Sequence, residues 1–295
     1  MKTISVIGAG TMGNGIAHCF AQKEFEVYLI DVSNENLKNA ELTIRKNLDR
    51  MIKKSIITEK EKQTTISNIH FCQKIDECVK KSDLVIEAVT ESKKIKLKIF
   101  KELDSLCKED TILASNTSSI SISDIASATN RKEKIIGMHF MNPVPIMKLV
   151  EVIRTNQTSP ETIDKIMNLS IFLDKKPVLV NDSPGFVANR ILLPMINEAI
   201  HTLHENVSGV EEIDKVMILG MSHPMGPLQL ADFIGLDVCL SILEVLHEGF
   251  NNPKYAPNPL LKEMVNKGEL GVKTKKGFYD YTHGLKEKSL NKRFK

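Results

Sequence analysis

Three groups of residues between positions 115 and 151 have the types and spacing to move a proton beside a polar substrate. Ser115-Asn116-Thr117-Ser118-Ser119 is a run of small hydrogen-bonding side chains, and His139 lies in Gly137-Met138-His139-Phe140-Met141-Asn142-Pro143-Val144-Pro145. Glu151 follows in Lys148-Leu149-Val150-Glu151-Val152. An imidazole can take the proton of a substrate hydroxyl while a cofactor takes the hydride from the same carbon. A carboxylate on the other ring nitrogen fixes the tautomer and stabilises the imidazolium. His139 and Glu151 are each six residues from Pro145, so a chain reversal centred there would set them opposite one another.

By type alone, each group also has a plainer reading. A histidine ending an apolar strand is more often a satisfied core or rim residue than a catalyst. A glutamate among β-branched residues can mark an exposed strand face. Serine, threonine and asparagine between a strand and a helix favour caps and turns. The frame that carries these residues therefore matters as much as the residues.

Short apolar runs at Ile4–Ile7, Val27–Ile30, Leu84–Ile86, Ile112–Ala114 and Ile135–Met138 have the length and content of buried parallel strands. Between them Met12, Ile16 and Phe20 recur at helical spacing, as do Ile95, Ile99 and Leu103, which predicts helices packed on a sheet. Strands separated by helices imply an α/β fold with a Rossmann-type, doubly wound, mostly parallel sheet. After Pro143, Lys148–Ile153 and Val178–Val180 predict further strands flanking a helix over roughly 160 to 173. Beyond Asp182-Ser183-Pro184-Gly185 strand signals stop and helical faces follow, at Leu192, Ile196, Ala199 and Leu203 and at Leu236, Leu240 and Leu243. This pattern predicts two domains, 1–184 and a smaller all-helical 185–295, with Lys286 to Lys295 as a frayed polar tail. No internal repeat is present.

The first strand runs into Gly8-Ala9-Gly10-Thr11-Met12-Gly13, and the next ends at Asp31. Glycines at this turn allow a tight bend, close approach of a pyrophosphate to backbone N–H groups, and close helix–strand packing. A carboxylate about 20 residues further on is placed to bind a ribose 2′-hydroxyl. Asp31 would repel a 2′-phosphate, and Val32-Ser33-Asn34 supplies no arginine to bind one, so NAD is preferred over NADP, with FAD a lesser alternative.

Composition sets the outer limits. The chain of 295 residues, 42% apolar and 26% charged, is ordinary for a soluble globular protein. Its net charge of +3 over 40 basic and 37 acidic residues argues against a dedicated nucleic-acid binder but permits a local patch for a phosphorylated small molecule. Arg50, Lys53 and Lys54, placed just after a helical segment, are one such candidate, although a solvated helix face is the default reading. Five cysteines, at 19, 72, 78, 107 and 239, are odd in number and form no Cys-x-x-Cys, so neither a disulfide framework nor a metal site is expected. The expected setting is the cytoplasm, with no signal segment and no membrane span.

The chain resembles the L-3-hydroxyacyl-CoA dehydrogenase family, and within it the short-chain bacterial branch that acts on 3-hydroxybutyryl-CoA. Gly8–Gly13, Glu87-Ala88-Val89-Thr90-Glu91, Ser115–Ser119, and His139–Pro145 with Met147–Val152 carry the first part of the likeness. Asp182–Arg190, Pro224–Pro227 with Asp232 and Gly235–Asp237, and Gly277–Tyr281 carry the rest, in family order over nearly the whole chain. The resemblance implies NAD-linked oxidation of the 3-hydroxyl of an acyl-CoA thioester, or its reverse. It makes His139 the acid/base, Glu151 its orienting carboxylate, and Ser118 and Asn189 substrate hydrogen-bonding groups. It assigns Glu91, Lys96 and Asn116 to the ribose and nicotinamide side of the cofactor, adds Asn142 on that side, and implies a homodimer joined through the second domain. Lys275 stands where many relatives have glycine, which leaves the turn at Lys273–Gly277 open. Two other functions stay in view: a dehydrogenase of a hydroxy acid lacking CoA on the same plan, and a non-enzymatic protein that kept the fold.

Overall fold

The computed structural model describes residues 1–295, which divide into two compact units, Met1–Ser183 and Pro184–Lys295. No helix is long and apolar enough to cross a membrane.

In the first unit the strands are β1 (Thr3–Ile7), β2 (Glu26–Ile30), β3 (Ile69–Cys72), β4 (Leu84–Glu87), β5 (Ile112–Ser115), β6 (Ile135–Phe140), β7 (Leu149–Arg154) and β8 (Lys176–Asn181). They form one sheet in the order β3-β2-β1-β4-β5-β6-β7-β8. Every pairing is parallel except β6 with β7, where a short loop reverses the chain instead of a helical crossover. The order runs outward from β1 in both directions, so a switch point lies between β1 and β4, where open α/β sheets bind ligands. The helices are α1 (Thr11–Gln22), α2 (Asn34–Lys53), α3 (Glu59–Ser67), α4 (Glu77–Lys80), α5 (Lys93–Leu106), α6 (Ile122–Ser127) and α7 (Pro160–Phe172). Ile4, Val6, Ile16, Phe20, Val27 and Leu29 are buried in the core between sheet and helices.

Three features depart from the sequence reading. Strand β3 was not anticipated: it lies at the sheet edge, with His70 and Phe71 exposed, and lacks the apolar run that marks the central strands. In α5 the buried residues are Lys96, Phe100 and Leu103, whereas Ile95 is 43% exposed. The helix is thus rotated from the expected Ile95–Ile99–Leu103 stripe, because the Lys96 ammonium finds a carboxylate inside. Arg50 and Lys53 lie within the last turn of α2, so of the three only Lys54, its C-cap, follows the helix.

The second unit is helical, with α8 (Ala188–His204), α9 (Val210–Met221), α10 (Pro227–Ile234), α11 (Leu236–Phe250) and α12 (Pro259–Asn266). Leu193, Ile196, Ile200, Leu228, Leu243 and Leu261 are among its core. A short antiparallel pair, β9 (Tyr279–Asp280) with β10 (Ser289–Leu290), follows α12. It corrects the expectation of a frayed tail: Asn291 is buried and donates to the Gly277 carbonyl, Phe294 stacks on Phe278, and Arg293 pairs with Glu263 at 2.7 Å. Buried carboxylates hold this unit together. Asp214 of α9 accepts the Leu228 and Gln229 N–H groups at the start of α10 and the Tyr279 hydroxyl, while Asp232 accepts the Phe278 and Tyr279 N–H groups and the Tyr281 hydroxyl. Lys275 adopts φ +60°, a left-handed conformation that glycine takes without steric cost, which accounts for the turn left open by the sequence.

Candidate active site

The glycine-rich turn meets the demands of a dinucleotide loop. Gly8 has φ +100°, and a side-chain carbon there would fall 2.6 Å from the Ala88 carbonyl oxygen. One at Gly13 would fall 1.7 Å from the Gly8 oxygen, so α1 can approach β1 only with glycine at this position. Gly10 has nothing within 4 Å of its missing Cβ, and as the N-cap of α1 it supplies no side-chain cap. The first-turn N–H groups of Thr11, Met12 and Gly13 therefore retain the positive potential and donor capacity that suit a pyrophosphate. Asp31 closes this end of the site. Its carboxylate accepts the Ala9 N–H at 2.8 Å, the Ser33 N–H at 2.8 Å and the Asn36 side-chain amide at 3.2 Å. These bonds fix its orientation, and the Asn36 amide, which spans both oxygens at 3.2 and 3.3 Å, is the most distant of its donors.

On the other side of β1, a chain of charges, buried at Glu87 and Lys96 and partly open to solvent at Glu91, underlies the Ser115–Ser119 cluster. Glu87, fully buried at the end of β4, accepts from Lys96 Nζ at 2.6 Å, from the Ser115 hydroxyl at 2.7 Å and from the Val89 N–H at 2.7 Å. Lys96 also reaches Glu91 at 3.3 Å. Glu91 in turn accepts from the Thr117 hydroxyl and from the backbone N–H groups of Ser118 and Ser119. Burial pushes the Glu91 carboxyl up, but the Lys96 ammonium and these donors outweigh it and hold it below the usual range. Two carboxylates and one ammonium thus fix the backbone on which Ser118 sits. The importance of Glu87 was not read from the sequence; an acidic residue closing the apolar run Leu84-Val85-Ile86 was the available signal.

Asn116 links this cluster to the next strand, since its Oδ1 accepts the Phe140 N–H at 2.9 Å. His139 precedes Phe140 on β6 and is paired directly with Glu151 on β7. Opposite residues on an antiparallel pair put their side chains on the same face. His139 Nδ1 and Glu151 Oε2 are 2.8 Å apart, and both residues are buried, at 6% and 2% exposed. The chain reversal at Pro145 brings the two together as its spacing required. With an ionised carboxylate as partner, Nδ1 carries the proton and Nε2 is the ring's basic atom.

The remaining candidates are less tightly built. Asn142 is exposed at the start of the β6–β7 loop. Asn189 lies in the first turn of α8 in the second unit, where its N–H donates to the Gly185 carbonyl. Arg50, Lys53 and Lys54 are exposed, and Arg50 makes one long bond to Asn47 at 3.5 Å. No cluster of metal-ligating side chains is present.

Comparison with known proteins assigns the architecture. Residues 3–183 match the NAD binding domain of 3-hydroxyacyl-CoA dehydrogenase and residues 185–281 match its C-terminal domain. The chain belongs to the 3-hydroxyacyl-CoA dehydrogenase family. It is 52% identical to a 3-hydroxybutyryl-CoA dehydrogenase of Bradyrhizobium diazoefficiens, over 95% of this chain and 96% of that protein. It is 53% identical to a probable 3-hydroxybutyryl-CoA dehydrogenase of Bacillus subtilis, over 95% of this chain and 98% of that one. The crystal structure of (S)-3-hydroxybutyryl-CoA dehydrogenase PaaH1 from Ralstonia eutropha superposes with a TM-score of 0.92 at 48% identity, covering 96% of this chain and 99% of that one. The protein is thus an NAD-dependent oxidoreductase of this family, with the expected Rossmann-type first domain and helical second domain.

Proposed function

We propose that the protein interconverts (S)-3-hydroxybutyryl-CoA and acetoacetyl-CoA, with His139 as acid/base and Glu151 as its orienting carboxylate. The observation that carries this reading is the buried 2.8 Å contact between His139 Nδ1 and Glu151 Oε2. NAD, held along Gly8–Gly13 and Asp31, would supply the hydride acceptor for C3 of the alcohol and, as NADH, the hydride donor for the ketone. In oxidation the neutral His139 ring takes the hydroxyl proton at Nε2, and the Glu151 carboxylate stabilises the imidazolium that results. In reduction the same atom gives the proton back to the forming alkoxide. Burial of the pair strengthens the carboxylate–imidazolium attraction relative to water and keeps the ring from turning.

Ser118 and Asn189 serve in this reading as hydrogen-bonding groups for the substrate, and the Glu87–Lys96–Glu91 chain keeps the Ser118 backbone in place. Glu91, Lys96, Asn116 and Asn142 take the nicotinamide and ribose side of NAD, while Gly8, Gly10, Thr11, Met12, Gly13 and Asp31 take the pyrophosphate and adenosine side. Arg50 and Lys54 are exposed cations suited to the phosphates of CoA. The proposed setting is the cytoplasm. The working form is a homodimer.

The direct test is NADH absorbance with acetoacetyl-CoA and longer 3-ketoacyl-CoA substrates. Consumption with acetoacetyl-CoA is expected. Turnover restricted to hydroxy acids lacking CoA would move the protein to the alternative dehydrogenase class, and no turnover with either would favour a non-enzymatic role.

A further inference from the structure

The turn after α7 carries a lysine whose burial serves no evident need of the fold. Lys175 is only 6% exposed, and its side-chain nitrogen donates to the carbonyl of Val144 and, at 2.9 Å, to that of Met147. Neither acceptor is a carboxylate. The nearby Asp174 carboxylate is directed away to Lys23, at 2.6 Å. A buried ammonium is costly, and an apolar side chain of similar volume would fill the same space at lower cost. What the lysine adds is geometric: carbonyls three residues apart converge on one donor group.

Those carbonyls belong to the loop joining β6 to β7, which has His139 before it and Glu151 after it. Within the loop the Ile146 and Met147 N–H groups both donate to the Pro143 carbonyl at 3.0 Å, so the turn closes on itself and Lys175 fills its inner side. The Lys176 N–H adds a 2.7 Å bond to the Lys148 carbonyl where the loop enters β7. Val144 is buried against the first dinucleotide helix: a side-chain carbon at Gly15 would fall 2.9 Å from its Cβ. The loop is therefore held between Lys175 on one side and α1 on the other. It also begins at Asn142, assigned above to the nicotinamide side.

We propose that Lys175 is a positioning residue for the reaction, clamping the Asn142–Lys148 loop so that His139, Glu151 and the cofactor-side loop keep the geometry that hydride and proton transfer require. The proposal rests on the function proposed above. The surroundings fit a clamp and not a second acid/base group. Burial lowers the Lys175 amine from its ordinary range and Lys148 adds to this, while Cys19 and Asp174 oppose it. For His18 of α1, fully buried with neither ring nitrogen hydrogen-bonded, burial first and then Lys175 lower the pKa to about 4, so the ring is neutral at pH 7. The hydrogen bonds of the amine go to two loop carbonyl oxygens, neither of which can take its proton.

The test compares the parent protein with Lys175→Met, which keeps the length and loses the donors, and with Lys175→Ala, assayed with and without propylammonium. Because small misplacements of reacting groups can cost about 10²-fold, kcat for acetoacetyl-CoA reduction should fall roughly tenfold to a hundredfold in Lys175→Met at temperatures well below its unfolding transition. The KM for acetoacetyl-CoA should move little. Propylammonium, but not propanol, should restore kcat in Lys175→Ala, which also covers the case in which Lys175→Met folds poorly. Hydrogen exchange of the Ile146 and Met147 amides, read without substrate, should quicken in both variants. Parent-like kcat together with unchanged exchange in a folded variant would overturn the clamp. If the parent itself were inactive on acyl-CoA while exchange still quickened in the variants, the function would be wrong and the clamp would stand.

Discussion

A 2.8 Å contact between an imidazole nitrogen and a carboxylate oxygen, both buried, makes His139 the residue whose loss should cost most in chemistry and least in cofactor binding. His139→Ala is expected to lose about 10² to 10⁴ in kcat, the usual worth of positioned acid/base catalysis, with NADH affinity near that of the parent. A kcat within a few-fold of the parent, with chemistry rate-limiting, would remove His139 from its role. Asp31 should govern cofactor choice: the parent should prefer NADH, and Asp31→Ser should narrow the preference mainly by weakening NADH, as read by catalytic efficiency with each cofactor. Equal efficiency with NADPH in the parent would contradict this. Both residues were legible in the sequence because their evidence is local: a carboxylate at the end of the second strand, and two titratable groups at equal distances from a proline-rich reversal. Glu87 and Lys175 were not legible. A charged residue becomes a buried anchor only when a partner arrives from elsewhere in the chain, Lys96 in one case and the Val144 and Met147 carbonyls in the other.

At the scale of elements, the parallel strands could be read from their apolar runs because they are covered on both faces. Strand β3 could not, since an edge strand needs few apolar residues, and α5 was misoriented because a buried lysine looks polar in any periodicity count. The β9–β10 pair is too short to leave an alternating pattern, and its anchors are distant: Asp232 holds the Phe278 and Tyr279 N–H groups. Two glycine-linked predictions belong here. Gly13→Ala would drive its new carbon into the Gly8 carbonyl, so NADH binding and thermal stability should fall together, and unaltered values for both would contradict the close packing of α1 on β1. Lys275→Gly should instead stabilise. A left-handed non-glycine residue costs about 1–2 kcal/mol, and the extra chain entropy of glycine returns only part of that gain. The expected change is a modest rise in Tm with kcat unchanged; a fall in Tm would mean that the lysine side chain contributes more than its backbone costs.

At the scale of the whole molecule, the second unit carries a buried carboxyl at Asp232. Burial pushes the Asp232 carboxyl up to about 7, against the bonds it accepts from Tyr279, Phe278 and Tyr281. Below pH about 4 it is protonated in both the folded and the unfolded chain. As pH rises, the unfolded chain ionises first while the folded carboxyl keeps its proton, so the contribution of Asp232 to stability should decline up to about pH 7 and then level off. Denaturant unfolding of the parent and Asp232→Asn between pH 5 and 8 should show this difference, and parallel stability profiles would exclude it. Exposed apolar side chains on α9, with Leu219 81% and Met221 62% exposed, suit the proposed homodimer, so sedimentation at micromolar concentration should give a dimer; a strictly monomeric active species would contradict it. Proton exchange at His139 under the control of Glu151 is read most directly from the pair of pH–rate profiles for Glu151→Gln and the parent. Alcohol oxidation needs the neutral ring and should fall toward acid, whereas ketone reduction needs the protonated ring and should fall toward base. Replacing the carboxylate with an amide of the same shape removes the charge that favours the imidazolium, so both limbs should move to lower pH and turnover should drop. Profiles that stay in place, with chemistry shown to be rate-limiting, would return Glu151 to a structural role and break the proposed pair.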